Sequence, residues 1–374
     1  MKILYVYYAV AIFGGIERVL VDKMNMLANM GYDVFLLTAN QGNHPIPFDL
    51  AKEIHYEDMN VQTHIQYKYN GLRRYWEHFR RSVLLCKRLS DKIREIRPDI
   101  IITSLNGYIS ELVKLKGTTP LIVEVHTGYD YVMEDVTTFL RRMMLKNLHR
   151  NMHKADMIVV LTDDDAKKWK QHYSRVCVIP NVVHLNVTGI FSTCENKRVV
   201  FVGRNNKLKG IPDLLKIWEL VHQRHPDWQL DMYVERDITQ LREDVRKLNA
   251  NVNIYPPVSN IMERYMDSSL LVSTSIYESF SLVIAEAMSC GLPVVSFESD
   301  GPCSIVTDGY DGFLVKDRNM EYFAERVCQL IEDENLRMKM GKSAVMSAQR
   351  FSADHVLQKW IELFDSFKSY STSL

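Results

Sequence analysis

The sequence predicts an α/β protein made of two doubly wound domains, each with a parallel sheet. Length is the first reason: 374 residues exceed what one ordinary core holds, and two domains of roughly 150–200 residues are expected. The second is that most strand candidates are continuous runs of Ile, Val and Leu rather than alternating ones, which implies burial on both faces. The third is residues 271–295, one complete βα unit. An apolar run from Leu271 to Ser275 ends in a polar turn at Tyr277-Glu278-Ser279, and a helical stripe follows through Leu282, Ile284, Ala285 and Met288. Gly291 stops the helix and Pro293 opens another strand. The Ser281 hydroxyl is expected to cap free N–H groups at the start of this helix, an end that attracts anions.

Composition narrows the class. Hydrophobic residues make up 47% and charged residues 25%, as in a soluble globular protein. The net charge is zero, so nothing points to a nucleic-acid partner. Through residue 185 there are 25 Lys and Arg against 20 Asp and Glu, and beyond it 21 against 26. Six cysteines at 86, 177, 194, 290, 303 and 328 include no CxxC pair, which argues against a zinc site or a disulfide framework and suits a reducing cytoplasm. The start MKILYVYYAV is short, carries one Lys and leads into Gly14-Gly15, so it reads as a first buried strand rather than a leader. No apolar stretch reaches the ~20 residues of a membrane span.

In chain order, strands are expected at Ile3–Tyr8, Asp33–Ala39, Asp99–Ser104, Leu121–His126, Met157–Thr162 and Cys177–Pro180. Gly14-Gly15 follow the first strand and open a helix; they either let a ligand approach the helix's positive end or form a plain tight turn. Residues 64–97 and 141–150 are basic and rich in aromatics or methionine, as in helices that lie on anionic membranes, or as in ordinary solvated helices. His126 closes a buried strand at its carboxyl edge, where open α/β sheets hold ligands. Asp163-Asp164-Asp165 imitate a metal motif but open a helix, so helix capping is expected there and no metal.

A linker after Val178-Ile179-Pro180-Asn181-Val182 leads to a second domain starting at Arg198. Its first strand ends in Gly203-Arg204-Asn205-Asn206-Lys207-Leu208-Lys209-Gly210. Cations there suit a diphosphate, with Arg204 as a forked donor and Lys209 as a point charge; Lys207 is the alternative to Lys209. A strand at Val252–Tyr255 is followed by Pro256-Pro257-Val258.

Glu278, seven residues, Glu286, then a small-residue turn and Pro293-Val294-Val295, together with Gly203-Arg204 and Lys209, resemble the donor-site motifs of the retaining glycosyltransferases of family 4. The resemblance spans nearly the whole chain, is strong from 198 to 315 and weak from 50 to 100. It implies the GT-B fold: two Rossmann-like doubly wound domains facing a central cleft, with domains at 1–185 and 186–352 and a helix at 353–374 crossing back to the first. It places donor binding on Gly14, Gly15, Arg204, Lys209, Pro257, Glu278, Ser279, Phe280, Ser281, Leu282 and Glu286. Glu286 would hold the ribose hydroxyls, Pro257 would lie where the base is held by backbone contacts, and Glu278 would bind the sugar. The catalytic set it implies is Glu278, His126, Arg204 and Lys209, with no metal and no cofactor besides the nucleotide-sugar donor. Where relatives often have a glycine pair this chain has Glu235-Arg236-Asp237, and no residue is carried over from that loop. Cys303 stands where many relatives have a basic or polar residue.

The implied activity is retaining transfer of a hexose or N-acetylhexosamine, from a UDP-sugar in preference to GDP-mannose, to a glycan or lipid-linked saccharide. The setting would be capsule or lipopolysaccharide synthesis. Same-face attack with a phosphate oxygen as base is expected, so Glu278 positions charge rather than acting as nucleophile. The location would be the cytoplasm, on the inner face of the membrane if 64–97 and 141–150 contact it. Two alternatives are another GT-B enzyme, such as a nucleotide-sugar epimerase, and a non-catalytic nucleotide-sugar-binding scaffold.

Overall fold

The computed structural model describes residues 1–12, 14–105, 107–133, 138–235 and 237–371; Arg236 of the Glu235-Arg236-Asp237 segment lies outside them. The chain divides into two compact units, Met1–Val182 with Leu357–Leu374, and Val183–Val356. Both are built on parallel sheets.

In the first unit the strands are β1 (Lys2–Tyr7), β2 (Asp33–Thr38), β3 (His55–Asp58), β4 (Ile100–Ser104), β5 (Leu121–Glu124), β6 (Met157–Val160) and β7 (Val176–Val178). They run in the order β3-β2-β1-β4-β5-β6-β7. β1, β4 and β5 are almost entirely buried, which is why their sequences are continuous apolar runs. β3 was not anticipated. It reads His-Tyr-Glu-Asp and is mostly exposed, because an edge strand hydrogen-bonds on one side only and has no need of an apolar run.

The Gly71–Ile96 helix buries Leu85, Leu89, Ile93 and Ile96 against this sheet. Its first half carries a second apolar stripe, Leu72, Trp76, Phe79 and Val83, at helical spacing and 52–88% exposed. Among the described residues, no helix is long and apolar enough to cross a membrane.

The second unit holds β8 (Arg198–Arg204), β9 (Gln229–Glu235), β10 (Val252–Tyr255), β11 (Leu270–Ser273), β12 (Val294–Phe297) and β13 (Gly312–Val315). Their order is β10-β9-β8-β11-β12-β13. Trp218, Phe201, Phe297 and Phe323 anchor its core. In each sheet the strand order reverses once, between β1 and β4 and between β8 and β11. Loops leaving the carboxyl ends on either side of such a reversal part company and leave a crevice, the place where open α/β sheets take ligands.

Candidate active site

Lys209 follows β8 and Glu278 follows β11, so the two stand on opposite sides of the reversal in the second sheet. Their side chains form an ion pair, and Ser275 Oγ donates a second hydrogen bond to the same carboxylate oxygen at 2.9 Å. The loops carrying them are laced together. Ile276 N donates to the Leu208 carbonyl at 2.7 Å, and Thr274 Oγ1 donates to the Lys209 carbonyl at 3.1 Å. Gly210 has φ +62°, and any Cβ there would collide with the Thr274 carbonyl oxygen, so only glycine fits this approach. Side chains of Lys209 and Glu278 are 21% and 16% exposed. A pair so shielded from water is held by geometry as well as charge.

Arg204 ends β8, and its Nε donates to Glu235 Oε2 at 2.9 Å, at the end of neighbouring β9. Glu286 lies on the Leu282–Ser289 helix and is 6% exposed, which is uncommon for a carboxylate. Phe280 is buried edge-on to Phe351, with ring centroids 5.2 Å apart. Gly301 N donates to the Glu278 carbonyl at 2.8 Å, tying the loop to the helix that follows β12. Pro257 is exposed just past β10, further along the same sheet edge. Ser279 and Leu282 are half-buried at the helix entry. Lys207 is exposed at the start of the same turn as Lys209.

Two expectations are corrected. Ser281 is at the helix N-cap position, but its side chain makes no cap hydrogen bond, and its backbone is left-handed at φ +69°. The residue turns the chain into the helix rather than capping it. The run Asp163-Asp164-Asp165 does open a helix, Asp163–Lys170, yet the cap is Thr162, which accepts from Asp165 N. Asp165 itself accepts from Tyr129 N at 2.7 Å and Trp169 Nε1 at 3.1 Å. Among the described residues, no three His, Cys, Asp or Glu side chains are grouped to hold a metal ion.

Gly14, Gly15 and His126 belong to the first unit. Gly14 is the extended N-cap of the Gly15–Asn29 helix, a conformation open to any residue. His126 stands two residues past β5, with its side chain 8% exposed and Nε2 3.1 Å from Glu124 Oε2. Glu124 also pairs with the buried Lys23.

Several residues around these sites carry no sequence motif. Arg318 pairs with Asp213 and donates to the Ser275 and Thr274 carbonyls at 3.1 Å each. Tyr8 and Tyr108 stack with centroids 6.5 Å apart beyond β1 and β4, and Asn40 holds the Tyr108 hydroxyl at 2.6 Å. All come from segments distant in sequence, and spacing gives no signal for them.

Residues 191–345 match the family model for glycosyl transferases group 1, and residues 13–187 match that for glycosyltransferase family 4. The amylovoran biosynthesis glycosyltransferase AmsD of Erwinia amylovora is 26% identical over 97% of this chain and 99% of its own. From Campylobacter jejuni, the GalNAc-alpha-(1->4)-GalNAc-alpha-(1->3)-diNAcBac-PP-undecaprenol alpha-1,4-N-acetyl-D-galactosaminyltransferase is 23% identical over 95% and 96%. The fold is also that of S. aureus TarM, solved as its G117R mutant in complex with Fondaparinux, alpha-GlcNAc-glycerol and UDP. That likeness has a TM-score of 0.76 and 15% identity, covering 97% of this chain and 99% of TarM.

Proposed function

The chain belongs to the family 4 glycosyltransferases with the GT-B fold, and we propose that it transfers a hexose or N-acetylhexosamine from a UDP-sugar, with retention, to a glycan or lipid-linked saccharide acceptor in surface polysaccharide synthesis. The observation that carries this reading is the Lys209–Glu278 pair, laced across the sheet reversal, beside the helix that buries Glu286. A diphosphate entering this edge would draw the Lys209 ammonium and the Arg204 guanidinium, each now engaged with a carboxylate. Their positive charge would then stabilise the negative charge that grows on the leaving group. Displaced from Lys209, Glu278 keeps Ser275 as a donor and gains freedom to accept sugar hydroxyls. Glu286 offers two acceptor oxygens, which suits adjacent ribose hydroxyls. UDP as the nucleotude carrier is supported by its presence in the TarM complex, and a polysaccharide or polyprenol-linked acceptor by the names of the two relatives.

A second observation supports action at a membrane surface from the cytoplasmic side. The exposed Leu72–Val83 stripe is flanked by Arg73, Arg74 and Arg80, whose guanidinium carbons lie 4.2–5.6 Å from the ring centroids of Tyr69, Tyr67 and Trp76. Phe139, Met143 and Met144 on the Phe139–Met152 helix are also 55–79% exposed. Aromatic side chains beside arginines are what an interfacial helix offers to anionic headgroups.

The test is calorimetric titration of UDP and GDP into the protein and its Glu286→Ala variant. Binding of UDP that is lost in the variant is the expected result; failure to bind either nucleotide removes the donor-site reading. Proton NMR of the product's anomeric signal then checks retention. Conversion of a donor without transfer would instead favour an epimerase.

A further inference from the structure

The reversal of the second sheet carries the Lys209–Glu278 pair. The first sheet reverses between β1 and β4, and there two tyrosines meet. Tyr8 is the residue after β1, and Tyr108 lies four residues past β4, so both stand at the carboxyl edge, where such reversals take ligands. Their rings are near-parallel, with 22° between planes and 6.5 Å between centroids. Rings in full face-to-face contact would lie well inside that distance, so neither covers the other's face. Tyr8 is 43% exposed and Tyr108 is half-buried.

Buried neighbours fix these rings in place. Asn40, 6% exposed, donates from Nδ2 to the Tyr108 hydroxyl at 2.6 Å, and its Oδ1 accepts from Thr63 Oγ1 at 3.0 Å. Asn40 N donates to the Tyr8 carbonyl at 3.0 Å. Gln41, 2% exposed, clasps the backbone two residues past Tyr8: its Oε1 accepts from Val10 N at 2.7 Å, and its Nε2 donates to the Val10 carbonyl at 3.0 Å. A Cβ at Gly107 would run into Thr103 Oγ1, which is held by the Val6 carbonyl at 2.7 Å, so glycine allows the tight return from β4 to Tyr108. Two buried amides thus hold a part-exposed aromatic pair, and a surface ordered in advance binds without the cost of ordering it.

We propose that Tyr8 and Tyr108 form an aromatic platform on which the acceptor lays an uncharged pyranose, C–H face down. This names an acceptor subsite for the transfer proposed above and rests on that reading. One face of a pyranose carries axial C–H bonds, whose positive hydrogens match the negative face of a phenol ring, while its hydroxyls point to the rim. The side chains bonded to the platform are neutral carboxamides and a hydroxyl, which suit a neutral sugar; recognition of phosphate and carboxylate runs on arginine and lysine. Burial, chiefly, pushes the Tyr108 phenol well above its ordinary value, and Tyr8 and the Glu111 carboxylate add to it. An acidic sugar would meet the repulsion of that same carboxylate.

The experiment uses the full chain and the methyl pyranosides of glucose, galactose, N-acetylglucosamine and N-acetylgalactosamine, with methyl glucuronide as the charged comparator. Saturation-transfer NMR, recorded with and without UDP, reads which sugar protons touch the protein, and calorimetry of UDP and GDP runs beside it. A neutral glycoside is expected to bind, with saturation strongest on the C–H protons of one face. Tyr8→Phe should keep this pattern, because the ring face remains. Tyr8→Leu, apolar but without that face, should weaken binding roughly three- to tenfold, and Tyr108→Leu should act in the same direction. Tyr8 is exposed enough for both of its variants to fold, and an unchanged melting curve checks this. Equal binding to Tyr8→Leu overturns the platform, as does tighter binding of the glucuronide than of every neutral glycoside, or no binding of any glycoside to the wild type. The nucleotides separate the two readings. UDP bound without any glycoside sinks the platform alone. A glycoside held through Tyr8 while neither UDP nor GDP binds removes the donor site instead, and the saccharide platform stands without its role as an acceptor subsite.

Discussion

Gly301→Ala offers a test in which one added methyl group probes the Glu278–Ser281 loop of the proposed donor site. A Cβ on residue 301 would lie 2.7 Å from the carbonyl carbon and nitrogen of Phe280 and 2.8 Å from its Cα. Carbon contacts become ordinary near 3.4 Å, so one side must retreat by about 0.7 Å, and the atoms to be moved are backbone rather than a flexible side-chain tip. Phe280 cannot withdraw freely, because its ring is buried against Phe351. Gly301 also bonds to the Glu278 carbonyl, so a shift of residues 278–281 carries the Glu278 carboxylate with it. Overpacking of this kind costs about 1–3 kcal/mol of stability, and a misplacement near 1 Å can cost about a hundredfold in rate. The expected result is a modest fall in melting temperature with a roughly ten- to hundredfold loss in kcat/KM. Thermal denaturation, UDP calorimetry and steady-state transfer would be measured on one preparation. Unchanged kcat/KM with a lowered melting temperature would refute the claim that this loop positions the reacting groups. No change in either would refute the steric reasoning itself.

Arg318→Met removes the clamp between Asp213 and the Thr274 and Ser275 carbonyls; if that clamp holds the proposed donor-site loop in place, donor KM should rise roughly tenfold, about 1.4 kcal/mol, with partial rescue by Arg318→Lys, and an unchanged KM would show that it does not. Arg337, 3% exposed, donates to the carbonyls of Cys194, Leu330 and Ile331, so Arg337→Met should destabilise the second unit by about 2–4 kcal/mol through unsatisfied buried acceptors; a loss under about 0.5 kcal/mol in urea unfolding contradicts this. Burial pushes the Cys290 thiol up to about 12. At neutral pH only about one molecule in 10⁵ is then a thiolate, and iodoacetamide should leave this residue unmodified in the folded protein until pH approaches that value; rapid labelling at pH 7 would show the site to be open. Trp76→Ala with Phe79→Ala should lower partition onto vesicles containing phosphatidylglycerol by more than tenfold, and binding equal to wild type in a sedimentation assay would remove the membrane face from the proposal.

What the sequence by itself determined is local and periodic. Continuous apolar runs declared parallel strands buried on both faces, and Leu271 to Pro293 spelled strand, turn, helix, glycine stop and strand in an order that no other arrangement of those residues satisfies easily. Gly291 at φ +88° ends its helix as that pattern demands. The exposed edge strand His55–Asp58 was not legible, because an edge strand needs no apolar pattern to be stable. The candidate site residues were found as motifs, but their pairing was not. That Lys209 meets Glu278, that Arg204 meets Glu235, and that Glu124 stands between Lys23 and His126 follow from which loops the sheets bring to one edge, across 69, 31 and 101 residues of chain for the printed bonds. Ser281 shows the limit at short range too: the residue type suits a cap, yet the tight entry from Glu278 into a buried helix set its backbone to the left-handed region and took the hydroxyl out of reach. Propensity acts on neighbours along the chain, whereas charge pairing and close backbone approach act through space, and only the packed sheets decide which distant residues share it.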